Sequence, residues 1–136
     1  MTTTQVNPHL FIIFGATGNL TQNKLFPALY RLSTSGLLEN KTKILGIARR
    51  KLNDHDYRAL VRSSLQANAI PVNDQFFSSW CESCLSYHSI EDGNLDNYEE
   101  LANRIKTIEQ QFTLPGNRVF YMAIPPYILP KSIVRL

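Results

Sequence analysis

The sequence predicts an α/β protein built on a doubly wound, mostly parallel sheet. Short apolar runs alternate along the chain with longer segments of helical periodicity, as in parallel strands joined by helical crossovers. A glycine-containing turn directly follows the first apolar run, where such sheets bind nucleotide phosphates. A chain of 136 residues with 43% hydrophobic and 18% charged residues is long and apolar enough for one folded domain. Together these observations predict a Rossmann-like domain.

The first strand and the first helix carry the clearest signals. The continuous apolar run 10–14 predicts a strand covered on both faces, and it ends at Gly15. Leucines at helical spacing predict a helix over 21–35, which Gly36 closes. Pro27 lies inside this helix, where a proline costs about 3 kcal/mol, so we expect either a kink or an irregular start.

The remaining elements follow in the order expected for strands linked by crossovers. Strands are predicted over 43–48, 85–90 and 118–124, and helices over 53–69, 74–83 and 98–112. After 127 a further helix begins without a closing glycine, so we expect a sheet that is truncated at its C-terminal end. We divide the chain into a flexible N-terminus, 1–9, and an incomplete dinucleotide-binding domain, 10–136.

Composition and charge exclude several function classes. The formal net charge of +3 is small and not gathered into a run, which disfavours nucleic-acid binding. With neither a secretion signal nor about 18 consecutive apolar residues, the chain is expected to be cytoplasmic and without a membrane segment. Cys81 and Cys84 would supply only half of the ligands of a zinc site. We expect them to be buried or idle thiols rather than redox-active ones. The scattered His9, His55 and His88 show no metal-ligand or triad spacing.

The turn after the first strand carries the functional prediction. Its residues are Gly15, Ala16, Thr17, Gly18, Asn19 and Leu20. The first glycine permits a tight turn, the small side chains let backbone N–H groups approach a pyrophosphate, and the second glycine brings the positive end of the helix close. The spacing is G-x-x-G, with Thr21 where a third small residue is expected. An ordinary strand-to-helix turn is the alternative.

Basic residues follow the second strand, where an NAD site normally places a carboxylate for the adenosine ribose. Arg49 and Arg50 occupy this position. A guanidinium can bind a 2′-phosphate through two charge-assisted hydrogen bonds, which predicts NADP as the coenzyme; solvated arginines are the alternative. Glu91 and Asp92 follow the third strand and are weaker candidates for the adenosine side, where a solvated loop is the alternative.

Two further groups are candidates at the same edge of the sheet. Lys24, in the first helix, could place a charge near phosphate or substrate, or be only an exposed lysine. Ala123, Pro125 and Pro126 follow the fourth strand, where the prolines either stiffen a ligand-facing loop or merely end the strand.

Four blocks of the sequence occur in the order found in one enzyme family. They are FGATGNL at 14–20, KLFPALY at 24–30, GIAR at 46–49 and VFYMAIPP at 119–126. Together they resemble the N-terminal NAD(P)-binding domain of glucose-6-phosphate dehydrogenase, from about residue 10 to the end of the chain. The resemblance implies that 15–20 is the coenzyme phosphate loop, Lys24 a lysine near coenzyme and substrate, Arg49 the 2′-phosphate arginine, and 123–126 a coenzyme-side loop.

The resemblance has one local departure and one large one. The family usually has Asp where this chain has Asn19, which keeps a hydrogen-bond acceptor and removes a negative charge. The family's Glu-Lys-Pro and Arg-Ile-Asp-His-Tyr segments, with the substrate-binding lysine and the general-base histidine, are expected beyond Leu136. We therefore assign no catalytic residue to this chain and expect it to be inactive alone.

The resemblance implies a homo-oligomeric enzyme of the pentose phosphate pathway. Such an enzyme passes a hydride from C1 of glucose 6-phosphate to NADP and forms 6-phosphogluconolactone. Two alternatives remain open. One is an atypical short-chain reductase or epimerase domain, which Thr21 disfavours. The other is a non-catalytic NADP-binding or interaction module that docks a partner through the helix at its C-terminus.

Overall fold

The computed structural model describes residues 7–38 and 41–123, and its elements follow the predicted order. The strands are β1 (His9–Phe14), β2 (Thr42–Ala48), β3 (Leu85–Ser89) and β4 (Arg118–Met122). The helices are α1 (Phe26–Thr34), α2 (Asp54–Ala67), α3 (Asp74–Cys84) and α4 (Leu95–Gln111). β1 begins within the segment 1–9 that was predicted to be flexible, while residues 1–6 and the predicted last helix lie outside the described ranges.

All the strands of the described sheet are parallel, in the spatial order β3-β2-β1-β4. β1 pairs with β2 from His9 opposite Thr42 to Phe14 opposite Ile47. On its other side β1 pairs with β4, where Phe14 lies opposite Met122. The strand order reverses direction between β1 and β4, which makes this the switch point where doubly wound sheets bind ligands. The predicted fold class is confirmed.

Helices cover both faces of the sheet and bury the strands between them. α1, α2 and α3 pack on one face around Phe26, Tyr57 and Trp80. α4 packs on the other face, where Leu101 and Ile105 meet the alternate residues of β1. Burial on both faces explains why the strands have continuous apolar sequences rather than alternating ones.

The first helix starts irregularly, as Pro27 requires. A π-helical turn, Thr21–Leu25, precedes α1, and the backbone N–H of Phe26 donates to the carbonyl oxygen of Thr21, five residues back. Pro27 therefore lies at the start of the α-helical part, where a missing N–H is tolerated. An irregular start rather than a kink accommodates the proline. Among the described helices, none combines the length and the apolar character needed to cross a membrane.

Side chains cover the free edge of β3, the outermost strand beside β2. The backbone N–H of Tyr87 donates to Asp54 Oδ1 over 2.8 Å. The carbonyl oxygen of Leu85 accepts from Arg58 Nε and Nη2, at 3.0 and 2.7 Å. Asp54 also forms an ion pair with Arg104 of α4, with 3.0 Å between Oδ2 and Nη2. Unpaired edge groups are templates for other strands, so these contacts protect the edge.

The hydrogen bond from Tyr87 to Asp54 is testable by two substitutions. Asp54→Ala leaves a partly buried N–H without an acceptor, and we expect the free energy of unfolding to fall by about 1–3 kcal/mol. Asp54→Asn removes the charge but keeps a side-chain oxygen for Tyr87, so its loss should be smaller. Urea denaturation measures both, and equal losses would show that the Tyr87 bond contributes nothing.

His88 lies on β3 beside the Asp54–Arg104 pair. Its Nε2 is buried and has no hydrogen-bond partner within the described residues. Burial, and then the charge of Arg104, lower the pKa of His88, against the smaller opposite effects of Glu100 and Asp54. The folded state therefore holds the proton less tightly than the unfolded state does.

This difference predicts that the free energy of unfolding decreases as the pH is lowered. Because the unfolded chain binds the proton first, stability should decrease as pH falls below the ordinary histidine pKa of about 6.5. His88→Gln removes that proton-binding site, so the decrease between about pH 7.5 and about pH 5.5 should be smaller in this variant. Denaturation curves at the two pH values measure it; an unchanged decrease would assign the effect to other groups.

Candidate functional site

The carboxyl ends of the parallel strands bring the predicted site residues to one edge of the sheet. The turn 15–20 follows β1, Arg49 follows β2, and Ala123 follows β4. The backbone N–H of Ala123 donates to the carbonyl oxygen of Phe14 over 2.9 Å, so this residue lies directly beside the start of the turn. Pro125 and Pro126 lie outside the described residues.

Backbone hydrogen bonds fix the first half of the turn. Gly15 has a φ of +83°, which favours glycine, and the chain leaves the sheet there. The N–H groups of Gly15 and Ala16 both donate to the carbonyl oxygen of Ile47, each over 3.0 Å. The N–H of Gly18 donates to the carbonyl oxygen of Gly15, also over 3.0 Å. These three amides are therefore used within the protein.

Three other amides of the turn remain available for a ligand. Within the described ranges, the backbone N–H groups of Thr17, Asn19 and Leu20 have no protein acceptor. Asn19 and Leu20 are exposed, and they begin the helical segment that continues into α1. Free amides at the start of a helix, together with the positive end of its dipole, form a site for an anion such as phosphate.

Three buried side chains hold the carbonyl oxygens of the turn from the inside. Thr21 Oγ1 donates to the Gly15 oxygen over 2.9 Å. Gln22 Nε2 and Tyr57 Oη both donate to the Ala16 oxygen, over 2.6 and 2.9 Å. Thr21 thus has a structural role where a third small residue was expected. Gln22 and Tyr57 were not predicted, because a contact between two helices leaves no local sequence pattern.

The π-helical segment Thr21–Leu25 determines which side chains at the start of the first helix face outward. Thr21 and Gln22 are buried, whereas Lys24 is exposed. Short π-helical segments are frequent at functional sites, where the extra residue alters the direction of side chains. Lys24 therefore lies at the start of the first helix with its ammonium group accessible to a ligand, and no ion pair engages it in the described part of the chain.

Arg49 lies next to the loop that follows β3. A Cβ added at Gly93 of that loop would lie 3.8 Å from Arg49 Nη2, and Ser89 Oγ donates to the Arg49 carbonyl oxygen over 3.0 Å. The carbonyl oxygen of neighbouring Arg50 accepts from Tyr87 Oη over 2.6 Å. Both arginines are exposed, and neither is in an ion pair among the described residues.

The weaker candidates of the β3 loop differ in their contacts. Glu91 has a φ of +46° and pairs with Lys51, with 3.7 Å between the charged atoms. Asp92 is exposed. Within this loop, the carboxylate of Glu91 is therefore paired with Lys51, which lies two residues after Arg49.

The cysteines are not part of this site. Cys81 and Cys84 are free and buried on α3, as expected for idle thiols. Burial raises the pKa of the Cys81 thiol to about 12, which keeps it protonated and unreactive near neutral pH. Among the described residues, no group of three or more His, Cys, Asp or Glu side chains is placed so that it could hold a metal ion.

Comparison with known proteins identifies the family. Residues 12–136 match the family model described as glucose-6-phosphate dehydrogenase, NAD binding domain. The chain is 32% identical over 126 residues to glucose-6-phosphate 1-dehydrogenase of Bacillus subtilis, covering 93% of this chain and 25% of that protein. It is 33% identical over 131 residues to the enzyme of the same name from Chlamydia muridarum, with 95% and 26% of the two chains covered.

A solved structure gives the same result for the fold. A glucose-6-phosphate dehydrogenase in complex with its substrate glucose-6-phosphate superposes with a TM-score of 0.81 and 33% identity, covering 100% of this chain and 28% of that one. The chain thus spans about a quarter of the length of the relatives it matches. Because the family model covers nearly the whole sequence, this chain belongs to the family of glucose-6-phosphate dehydrogenase NAD-binding domains.

Proposed function

We propose that this chain is the NADP-binding domain of an enzyme that oxidises glucose 6-phosphate to 6-phosphogluconolactone. The family assignment supports dehydrogenase chemistry, and the solved relative in complex with glucose 6-phosphate supports the substrate. The single observation that carries the choice of NADP is the guanidinium of Arg49 at the end of β2, which is exposed and forms no ion pair among the described residues.

The turn fits the pyrophosphate of a dinucleotide. The backbone N–H groups of Thr17, Asn19 and Leu20, which have no acceptor in the described part of the chain, lie at or just before the start of a helix. A Cβ at Gly18 would lie 3.3 Å from the Gly15 oxygen, so glycine at this position lets the turn close tightly. Asn19 adds no negative charge to this surface, so it does not oppose the positive end of the helix in attracting a pyrophosphate.

Arg49 fits the 2′-phosphate of the adenosine ribose. It occupies the end of the strand next to β1, which is where a Rossmann-like domain binds the ribose. An NAD site has a carboxylate at this position, whereas a guanidinium presents two parallel donors to a phosphate. Its exposure leaves those donors open to a ligand.

The residues of this domain would bind and orient the coenzyme. NADP, when bound, would supply the acceptor for the hydride that leaves C1 of the sugar. The turn and Arg49 would fix the two ends of the adenosine diphosphate moiety, and Lys24 would face the phosphate or the substrate. We assign the proton-accepting base and the sugar site to the larger remainder of the full-length protein.

Removing the Arg49 guanidinium should distinguish the two coenzymes. We expect Arg49→Ala to weaken NADP binding about 10- to 100-fold, the effect of losing charge-assisted hydrogen bonds, and to leave NAD binding unchanged. Isothermal titration with both coenzymes measures the difference. Arg31→Ala, an exposed arginine on α1, is the matched control for a change in net charge. Equal affinities of the Arg49 variant and the unchanged chain for NADP would contradict this role.

A chimera tests the dehydrogenase assignment. The matching first part of the Bacillus subtilis enzyme would be replaced by this chain, and reduction of NADP would be followed with and without glucose 6-phosphate. We expect turnover that depends on the sugar phosphate. A folded chimera that binds NADP without turnover would instead support a non-catalytic coenzyme-binding module.

A further inference from the structure

The carbonyl oxygen of Ala16 points into the protein, although the turn lies at an exposed edge. Ala16 is completely buried, and its oxygen accepts two side-chain hydrogen bonds, from Gln22 Nε2 over 2.6 Å and from Tyr57 Oη over 2.9 Å. Two donors on one carbonyl oxygen fill its acceptor capacity. The peptide group between Ala16 and Thr17 is therefore anchored from the inside.

Both donors are themselves fixed. The side-chain oxygen of Gln22 accepts from Ser64 Oγ of α2 over 2.8 Å, which sets the direction of its amide group. The ring of Tyr57 is fully buried and stacks on Tyr87, with 4.5 Å between ring centroids and 20° between planes. Burial raises the pKa of Tyr57 far above its ordinary value, so its hydroxyl stays a donor throughout the physiological range.

Gly46 on β2 leaves the space for this arrangement. A Cβ at Gly46 would lie 2.9 Å from the Cβ of Ala16 and 3.0 Å from Tyr57 Oη. Any larger residue there would separate the tyrosine hydroxyl from the turn. The close approach of three elements, β2, α2 and the turn, thus depends on one glycine.

A trans peptide group has its C=O and N–H pointing in opposite directions. Because the Ala16 oxygen points inward, the N–H of Thr17 points outward, toward the exposed edge where Asn19 and Leu20 also present free amides. Rotation about ψ of Ala16 and φ of Thr17 would turn this peptide group, since these are the soft dihedral angles on its two sides. The two side-chain hydrogen bonds to the Ala16 oxygen restrict that rotation.

We propose that Tyr57 and Gln22 are positioning residues for coenzyme binding, which aim the Thr17 N–H at a phosphate oxygen of NADP by holding the Ala16 carbonyl. This inference rests on the proposed function of the turn as a pyrophosphate site. It adds that Tyr57 of α2 and Gln22 of the π-helical turn, which hold the turn from its inner side, influence the affinity of the turn for the coenzyme. A preorganised amide binds more tightly, since no rotation has to be stopped upon binding.

The substitution Tyr57→Phe tests the proposal. It removes one hydroxyl and keeps the buried ring, so we expect NADP to bind about three- to tenfold more weakly. Adenosine 2′-monophosphate, which lacks the pyrophosphate, should bind the variant and the unchanged chain equally. A general loss of structure would weaken both ligands, so this pair of titrations separates positioning from stability.

The matched control is Tyr30→Phe. Tyr30 is also buried among aromatic rings, those of Phe76, Phe77 and Trp80, but its hydroxyl has no hydrogen-bond partner among the described residues. We expect NADP affinity to be unchanged in this variant. An equal loss of affinity in both variants, or none in Tyr57→Phe, would overturn the inference. An unchanged chain that binds neither NADP nor NAD would overturn the proposed function as well.

A measurement on the unchanged chain covers the case in which Tyr57→Phe does not fold. In ¹H–¹⁵N correlation spectra, the Thr17 amide should shift strongly on titration with NADP and little with adenosine 2′-monophosphate. The Ala16 amide, which donates to Ile47, should move less in both titrations. A Thr17 amide that does not respond to NADP would refute the proposed direction of this N–H.

Discussion

The carbonyl oxygen of Ile47 accepts hydrogen bonds from two successive backbone N–H groups, those of Gly15 and Ala16, and the whole candidate site depends on this arrangement. β1 pairs with β2 up to its last residue, and the shared acceptor turns the chain out of the sheet within Gly15 and Ala16. The register of the two strands therefore sets the distance between the turn and Arg49. A slip of one residue in the pairing of β1 with β2 would move the turn relative to Arg49 by about 3.3 Å. It would also turn the side chains of the shifted strand to the opposite faces of the sheet.

Much of the fold follows from local sequence. The apolar run 10–14 indicates a strand buried on both faces because a parallel sheet covered by helices leaves no polar face. Pro27 predicts either a kink or an irregular helix start because it cannot donate a backbone hydrogen bond, and the structure shows the irregular start. The location of Arg49 at the carboxyl edge of the sheet follows in the same way, since the ends of parallel strands meet there.

Contacts between distant segments could not be predicted. Gln22 and Tyr57 are 35 positions apart, and Asp54 and Arg104 are 50 apart. Each pair meets only because helices pack on a particular face and in a particular register. Hydrophobic periodicity reports which face of a helix is buried, but not which polar side chain lies opposite. The same limitation explains why Thr21 looked like a departure from a glycine motif, although its buried hydroxyl completes the turn.

The covered edge of β3 also limits how copies of this domain can join through that side of the sheet. The backbone N–H of Tyr87 and the carbonyl oxygen of Leu85 are already used by Asp54 and Arg58. A strand from a second molecule would have to displace both side chains before it could pair with β3, so strand addition there begins with a loss of hydrogen bonds.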